Sequence, residues 1–117
     1  MTDLESDCLF CRIVAGEIPS DRVYEDDDVI AFRDINPQAP THVVVIPRRH
    51  IPDAHALTGD DAPVLSSLFA ALRRIAAEAG LTNGYRVVTN VGPDAGQSVF
   101  HLHLHLLGGR AMGWPPG

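Results

Sequence analysis

The sequence lacks the features that several broad classes of protein require. Lysine and arginine together supply nine residues against fifteen Asp and Glu, for a formal charge of −6. No Lys/Arg cluster is larger than the pair Arg48-Arg49, so the basic face that grips a nucleic-acid polymer is missing. No stretch approaches the roughly 20 consecutive apolar residues that span a bilayer. Met1 to Asp7 is acidic and has no apolar run, unlike a secretory signal. The expectation is a cytoplasmic protein with no membrane partner. Cysteine is confined to Cys8 and Cys11, too few for a disulfide framework. Repeats, low-complexity tracts and linkers are also absent.

What is present suits one compact unit. The chain has 117 residues, 45% of them apolar, enough to fill a single core, so residues 1–117 are read as one domain. The acidic balance still permits a small anionic substrate, held by backbone N–H groups and a few histidines.

The periodicity predicts a short helix over 5–15, where Leu9, Phe10, Ile13 and Val14 fall near helical spacing before Gly16. Residues 23–25 and 29–32 read as strands around Asp26-Asp27-Asp28, a solvated turn rather than a cation site. The β-branched run 42–46, between Pro40 and Pro47, reads as a central strand. A long helix is expected over 60–79. Thr58 or Asp60 can cap it, Pro63 fits its first turn, and Leu65, Leu68, Leu72, Ile75 and Ala79 form its stripe. Strands are expected over 85–90 and 99–107, separated by the loop 92–96. The sum is an antiparallel sheet with one principal helix, an α+β domain.

The segment His101-Leu102-His103-Leu104-His105-Leu106-Leu107 carries the most information. Strand side chains alternate, so three histidines share one face while the leucines pack the other. A purely polar outer face would more often use Thr, Lys or Glu. Two chemistries remain open. Same-face neighbours lie about 6.5–7 Å apart, so two such histidines can converge on one metal ion, whereas all three do so only with difficulty. Alternatively, a neutral imidazole near its unperturbed pKa of ~6.5 is a competent nucleophile. The preceding loop, Gly92-Pro93-Asp94-Ala95-Gly96-Gln97-Ser98, can present backbone N–H groups and a hydroxyl to an anion.

Gly96-Gln97-Ser98-Val99-Phe100-His101-Leu102-His103-Leu104-His105-Leu106-Leu107 resembles the signature of the histidine triad (HIT) superfamily. Asp34 to His42 and Val45 to His50 match as well, and the resemblance covers nearly the whole chain. The ending Gly108-Gly109-Arg110 with Trp114-Pro115-Pro116-Gly117 is similar to the Hint branch, the purine nucleoside phosphoramidases. The resemblance implies a five-stranded antiparallel sheet with one long and one short helix, and a homodimer that forms a larger sheet. It implies hydrolysis of nucleoside 5′-phosphoramidates, the AMP or GMP derivatives of an amine, through a covalent nucleotidyl-histidine. His103 resembles the nucleophile, and Ser98 and His105 the groups that contact the phosphate and leaving group. His42 resembles the proton-relaying histidine behind it. Asp34 resembles the acid that binds the ribose diol. Asn90 and the Gly96, Gln97 and Ser98 backbone resemble the phosphate site. Leu9, Phe10, Ile13 and Phe32 resemble the base slot, Ile35 is a further substrate-binding candidate, and Trp114 belongs to a tail that reaches the other subunit's site. A dinucleoside polyphosphate hydrolase and a non-catalytic nucleotide-binding adaptor are the competing readings.

Cys8 and Cys11 form a C-x2-C pair, and a Cys2His2 set makes a closed structural zinc site. Some bacterial members of the superfamily carry such a set, which the resemblance maps to Cys8, Cys11, His50 and His101. The expected cofactor is structural Zn2+, with no organic cofactor. His55 reads as a surface residue. One departure is visible: much of the Hint branch has a histidine before the terminal Trp-Pro-Pro-Gly, and here the residue is Gly113.

Overall fold

A computed structural model describes residues 7–117. Helix α1 spans Leu9–Val14 and α2 spans Ala62–Glu78. The strands are β1 (Arg22–Glu25), β2 (Val29–Arg33), β3 (Thr41–Pro47), β4 (Tyr85–Val88) and β5 (Leu104–Gly108). They form one antiparallel sheet in the order β1-β2-β3-β5-β4. This is the expected α+β architecture, with three single 3-10 turns added at 54–56, 59–61 and 93–95. The part of the expected first helix at residues 5 and 6 lies outside the described residues.

The β-branched runs of β2 and β3 are explained by a sheet covered on both faces. Val29, Ala31, Val43, Val45, Leu102, Leu104 and Leu106 pack with Leu68, Leu72 and Ile75 of α2. Ile30, Phe32, Val44 and Ile46 point the other way and pack with Phe10 and Ile13 of α1. Alternating residues therefore serve two cores, and neither face of these strands is left polar. The α2 stripe is Leu68, Ala71, Leu72, Ile75 and Ala76, while Ala79 is exposed. Its start is set by Thr58 and Asp61, which form a capping box one turn before α2. The acidic run after β1 is a turn: the Asp28 and Val29 amides donate to the Asp26 carboxylate.

The last strand begins at Leu104, not Val99. Pro47 ends the facing strand and has no N–H to extend the ladder. The Leu102 amide donates instead to the Ile51 carbonyl. Alternation nevertheless persists through the unpaired stretch. Leu102 enters the α2 core, and the His101 and His103 rings meet Phe10 on the α1 face. The fourth strand likewise stops at Val88, which leaves Asn90 in the loop that follows.

Candidate functional site

On the α1 face the sheet and α1 enclose an open cavity of about 820 Å³. Leu9, Phe10, Ile13, Phe32 and Val44 give it an apolar floor. Asp34, Asn90, Gly96, Ser98, His103 and His105 line its polar end. An apolar slot closed by a few convergent polar groups is the usual form of a small-molecule site.

Hydrogen-bond partners assign the protons of the polar end. Nδ1 of His103 lies 2.7 Å from the His101 carbonyl oxygen, which can only accept. His103 therefore carries its neutral-state proton on Nδ1 and keeps its lone pair on Nε2. The Gln38 amide donates to Nδ1 of His42 at 3.0 Å. The proton of His42 consequently sits on Nε2, which is 2.9 Å from Nδ1 of His105 and donates to it. His105 in turn holds its own proton on Nε2. Burial, followed by the neighbouring His103 and His42, lowers the pKa of His105 to about 4, against an opposing influence from Asp34. It is neutral at neutral pH, as an acceptor at Nδ1 must be. Pairing in the sheet explains the convergence: His105 stands opposite Val44, two residues along β3 from His42.

Asp34 follows β2 directly. Its Oδ1 accepts from the Asn36 amide at 2.8 Å, and its Oδ2 lies 3.4 Å from Nε2 of His42. Asp34, His42 and His105 are close enough to suggest a metal centre. The assigned protons argue otherwise, because a neutral imidazole has one lone pair and that of His42 already faces the Gln38 amide. The group is a hydrogen-bonded relay.

The second cluster behaves differently. Ligand atoms of Cys8, Cys11, His50 and His101 all lie within 4.8 Å of one another. Sγ of Cys11 is 3.3 Å from Nδ1 of His50 and 3.5 Å from Nδ1 of His101, and Sγ of Cys8 is 3.5 Å from the latter. Tetrahedral zinc with ordinary bond lengths separates sulfur and nitrogen ligands by about 3.5 Å. Nε2 of His101 donates to the Pro47 carbonyl at 2.8 Å, which directs the Nδ1 lone pair to the cluster. Burial lowers the pKa of His101 to about 4, so that lone pair is available at neutral pH. The donor set fits zinc.

Most expected site residues meet at the cavity, including the almost fully exposed Ile35 on its rim. Three do not line it. His42 is buried behind His105. The Gln97 side chain turns inward, donating to the Pro52 and Val99 carbonyls and accepting from the Gly92 amide, so it shapes the loop. Trp114 is 83% exposed and does not line the cavity of its own chain. His55 is exposed. Ile18, Pro19, Ser20, Asp21, Arg33, Val44 and Val99 also line the cavity and were not expected from the sequence. Nor was Thr89, whose hydroxyl donates to the His103 carbonyl at 2.8 Å. The Gln38 amide had no sequence signal, since any residue but proline supplies one.

Comparison with known proteins matches this arrangement. The HIT domain model covers residues 15–112. A 14 kDa zinc-binding protein of Zea mays is 50% identical over 119 residues, which span 97% of this chain and 90% of that protein. The crystal structure of a HIT family hydrolase from Legionella pneumophila Philadelphia 1 superposes with a TM-score of 0.93 at 50% identity, covering 95% of this chain and 100% of that one. A histidine triad nucleotide-binding protein from Candida albicans superposes with a TM-score of 0.80 at 34% identity, over 93% and 83% of the two chains. With the domain match over most of its length and the close superposition on a family hydrolase, the chain belongs to the HIT domain family.

Proposed function

We propose that the protein hydrolyses nucleoside 5′-phosphoramidates to a nucleoside monophosphate and an amine, with His103 as nucleophile. The observation that carries this reading is the fixed tautomer of His103: its Nδ1–H is spent on the His101 carbonyl, leaving the Nε2 lone pair for the cavity. In the first step Nε2 forms a bond to phosphorus and the P–N bond to the amine breaks. Ser98 and the Nε2–H of His105 contact the phosphate, and the Ser98 hydroxyl passes a proton to the leaving nitrogen and regains one from solvent. In the second step water attacks phosphorus, its proton goes to solvent, and the bond from phosphorus to His103 breaks. Splitting the displacement in two is nucleophilic catalysis, with proton transfer to the amine as the acid component. Asp34 suits a ribose diol, because a carboxylate accepts two hydroxyl protons. The slot formed by Leu9, Phe10, Ile13, Phe32 and Ile35 takes a purine, and Asn90 and the Gly96–Ser98 backbone take the phosphate.

In the same reading Cys8, Cys11, His50 and His101 hold a structural zinc ion, which ties α1 to the sheet. The protein works as a cytoplasmic homodimer, with neither nucleic-acid polymer nor membrane as partner. Support for the dimer comes from the α2 face of the sheet. Helix α2 packs over β1, β2 and β3, and Tyr85 and Val87 stay exposed on edge strand β4. No described helix is long and apolar enough to cross a membrane. Trp114 would then reach the partner's cavity.

The test is turnover of adenosine 5′-phosphoramidate and of diadenosine polyphosphates, beside a His103→Ala control. AMP release from the phosphoramidate alone, lost in the control, supports the reading. Preference for the polyphosphates moves the protein to another branch of the family, and turnover of neither makes it a nucleotide-binding adaptor.

A further inference from the structure

The two thiols sit on the helix that forms one wall of the cavity. Cys8 is the N-cap of α1 and Cys11 lies in its first turn, where its amide meets the Cys8 sulfur at 3.4 Å. Leu9, Phe10 and Ile13, interleaved with these cysteines, line the cavity. Phe10 packs edge-on against Phe32, His101 and His103, with ring centroids 5.6, 5.9 and 5.1 Å away. A helix of six residues has little stability of its own and depends on what anchors it. Its anchors are this packing and the Cys2His2 cluster. Access is uneven: Cys11 is buried, whereas Cys8 is partly exposed and lines an open groove of about 500 Å³ with Asp7, His50, Pro52 and Phe100, which adjoins the cavity across Leu9, Ser98 and Val99. Solvent and small oxidants therefore reach one zinc thiolate directly.

We propose that Cys8 and Cys11 form an oxidation switch on the cavity, in which a peroxide converts the two zinc thiolates to a disulfide, expels the zinc and unseats α1. The Cys8 thiolate attacks a peroxide oxygen, the O–O bond breaks, and a sulfenic acid and hydroxide result. The Cys11 thiolate then attacks the Cys8 sulfur, the S–S bond forms and a second hydroxide leaves. Two thiolates lose two electrons, hydrogen peroxide gains them, and two protons complete two waters. Histidines alone hold zinc weakly, so the ion departs. Leu9, Phe10 and Ile13 lose their register against Phe32, and the cavity loses a wall. The effect on ligands rests on the nucleotide reading of that cavity; the effect on zinc and on α1 does not.

The experiment uses the zinc-loaded, reduced full chain, treated with hydrogen peroxide and then with a thiol reductant plus zinc. Intact mass, zinc release into a chromogenic chelator, and hydrogen exchange of the residue 8–15 amides are followed together, with AMP affinity by calorimetry. The expected result is loss of two hydrogens, release of one zinc per chain and at least tenfold faster exchange in α1. AMP affinity should fall tenfold or more, and every change should reverse on reduction with zinc. Retention of zinc under peroxide, or a disulfide with unchanged α1 exchange, overturns the switch. Failure of the reduced, zinc-loaded protein to bind AMP would count against the nucleotide reading, and the mass, zinc and exchange readouts would still decide the switch.

Discussion

The carbonyl oxygen of His101 receives the Nδ1–H of His103 at 2.7 Å, while the His101 ring faces the cysteine cluster. One residue thus takes part in both sites. Its backbone fixes the tautomer of His103, the nucleophile we propose, and its side chain aims a lone pair at the cluster that fits zinc. The relation explains why two histidines, two residues apart, have different duties.

The relay behind the proposed nucleophile yields the first prediction. His42→Ala removes the N–H donor that holds His105 with its proton on Nε2. Positioned acid–base catalysis contributes about 10²–10⁴-fold, so loss of the group that orients it should lower kcat by about 100-fold. KM should change little, because His42 does not line the cavity. Steady-state kinetics on adenosine 5′-phosphoramidate checks this, and a change confined to KM would contradict it.

Much of this was legible in the sequence, for reasons that can be named. Histidines at alternate positions kept their common face even where no ladder forms, because leucine burial on the opposite face sets the alternation. The Cys8, Cys11, His50 and His101 set came together as the resemblance implied. The strand start at Leu104 was not legible, since it depends on Pro47 of another strand and on the Ile51 carbonyl. The direction of the relay was hidden as well, because a backbone amide at Gln38 decides it. Trp114 could not be placed at the cavity from one chain.

Zinc should be a large part of the stability. Cys11→Ser removes a buried thiolate from the cluster. Structural zinc adds its binding free energy to folding, and a loss of about 2–4 kcal/mol would lower Tm by on the order of 10 °C. Chelation of the wild type should give a similar drop, and the variant should be insensitive to chelator. Scanning calorimetry with zinc analysis makes the measurement. An unchanged Tm on chelation would contradict a structural role.

Gly109 should resist substitution. Its φ is +91°, and an added Cβ would lie 2.9 Å from Cβ of Pro40. Pro40 belongs to the loop whose Gln38 amide holds His42. Gly109→Ala combines backbone strain with overpacking, for a cost of about 1–3 kcal/mol. Thermal unfolding should register a Tm lower by several degrees, and a neutral result would mean that the loop yields freely.

Stability should fall in mild acid. The pKa values of His101 and His105 are about 4 in the folded protein, chiefly through burial, against 6.5 for the free side chain. Between those values the unfolded chain binds more protons than the folded one, so stability rises with pH across the window and is lost as pH falls from 6.5 toward 4. Each displacement corresponds to roughly 3–4 kcal/mol at most, less for the partly exposed His105, where solvent screens the charge. Denaturant midpoints from pH 7.5 to 4.5, taken on chelated protein to remove zinc release, should decrease steadily below 6.5. A flat profile would mean that neither ring is held neutral by burial.

In the proposed reaction Nε2 of His103 forms a bond to phosphorus. Intact mass spectrometry of the protein, quenched during turnover of adenosine 5′-phosphoramidate without acid, detects that bond. A species heavier by one adenylyl group is expected, mapped to His103 and missing in His103→Ala. Rapid turnover with an unmodified enzyme at every quench time, and retained turnover in His103→Ala, would contradict it.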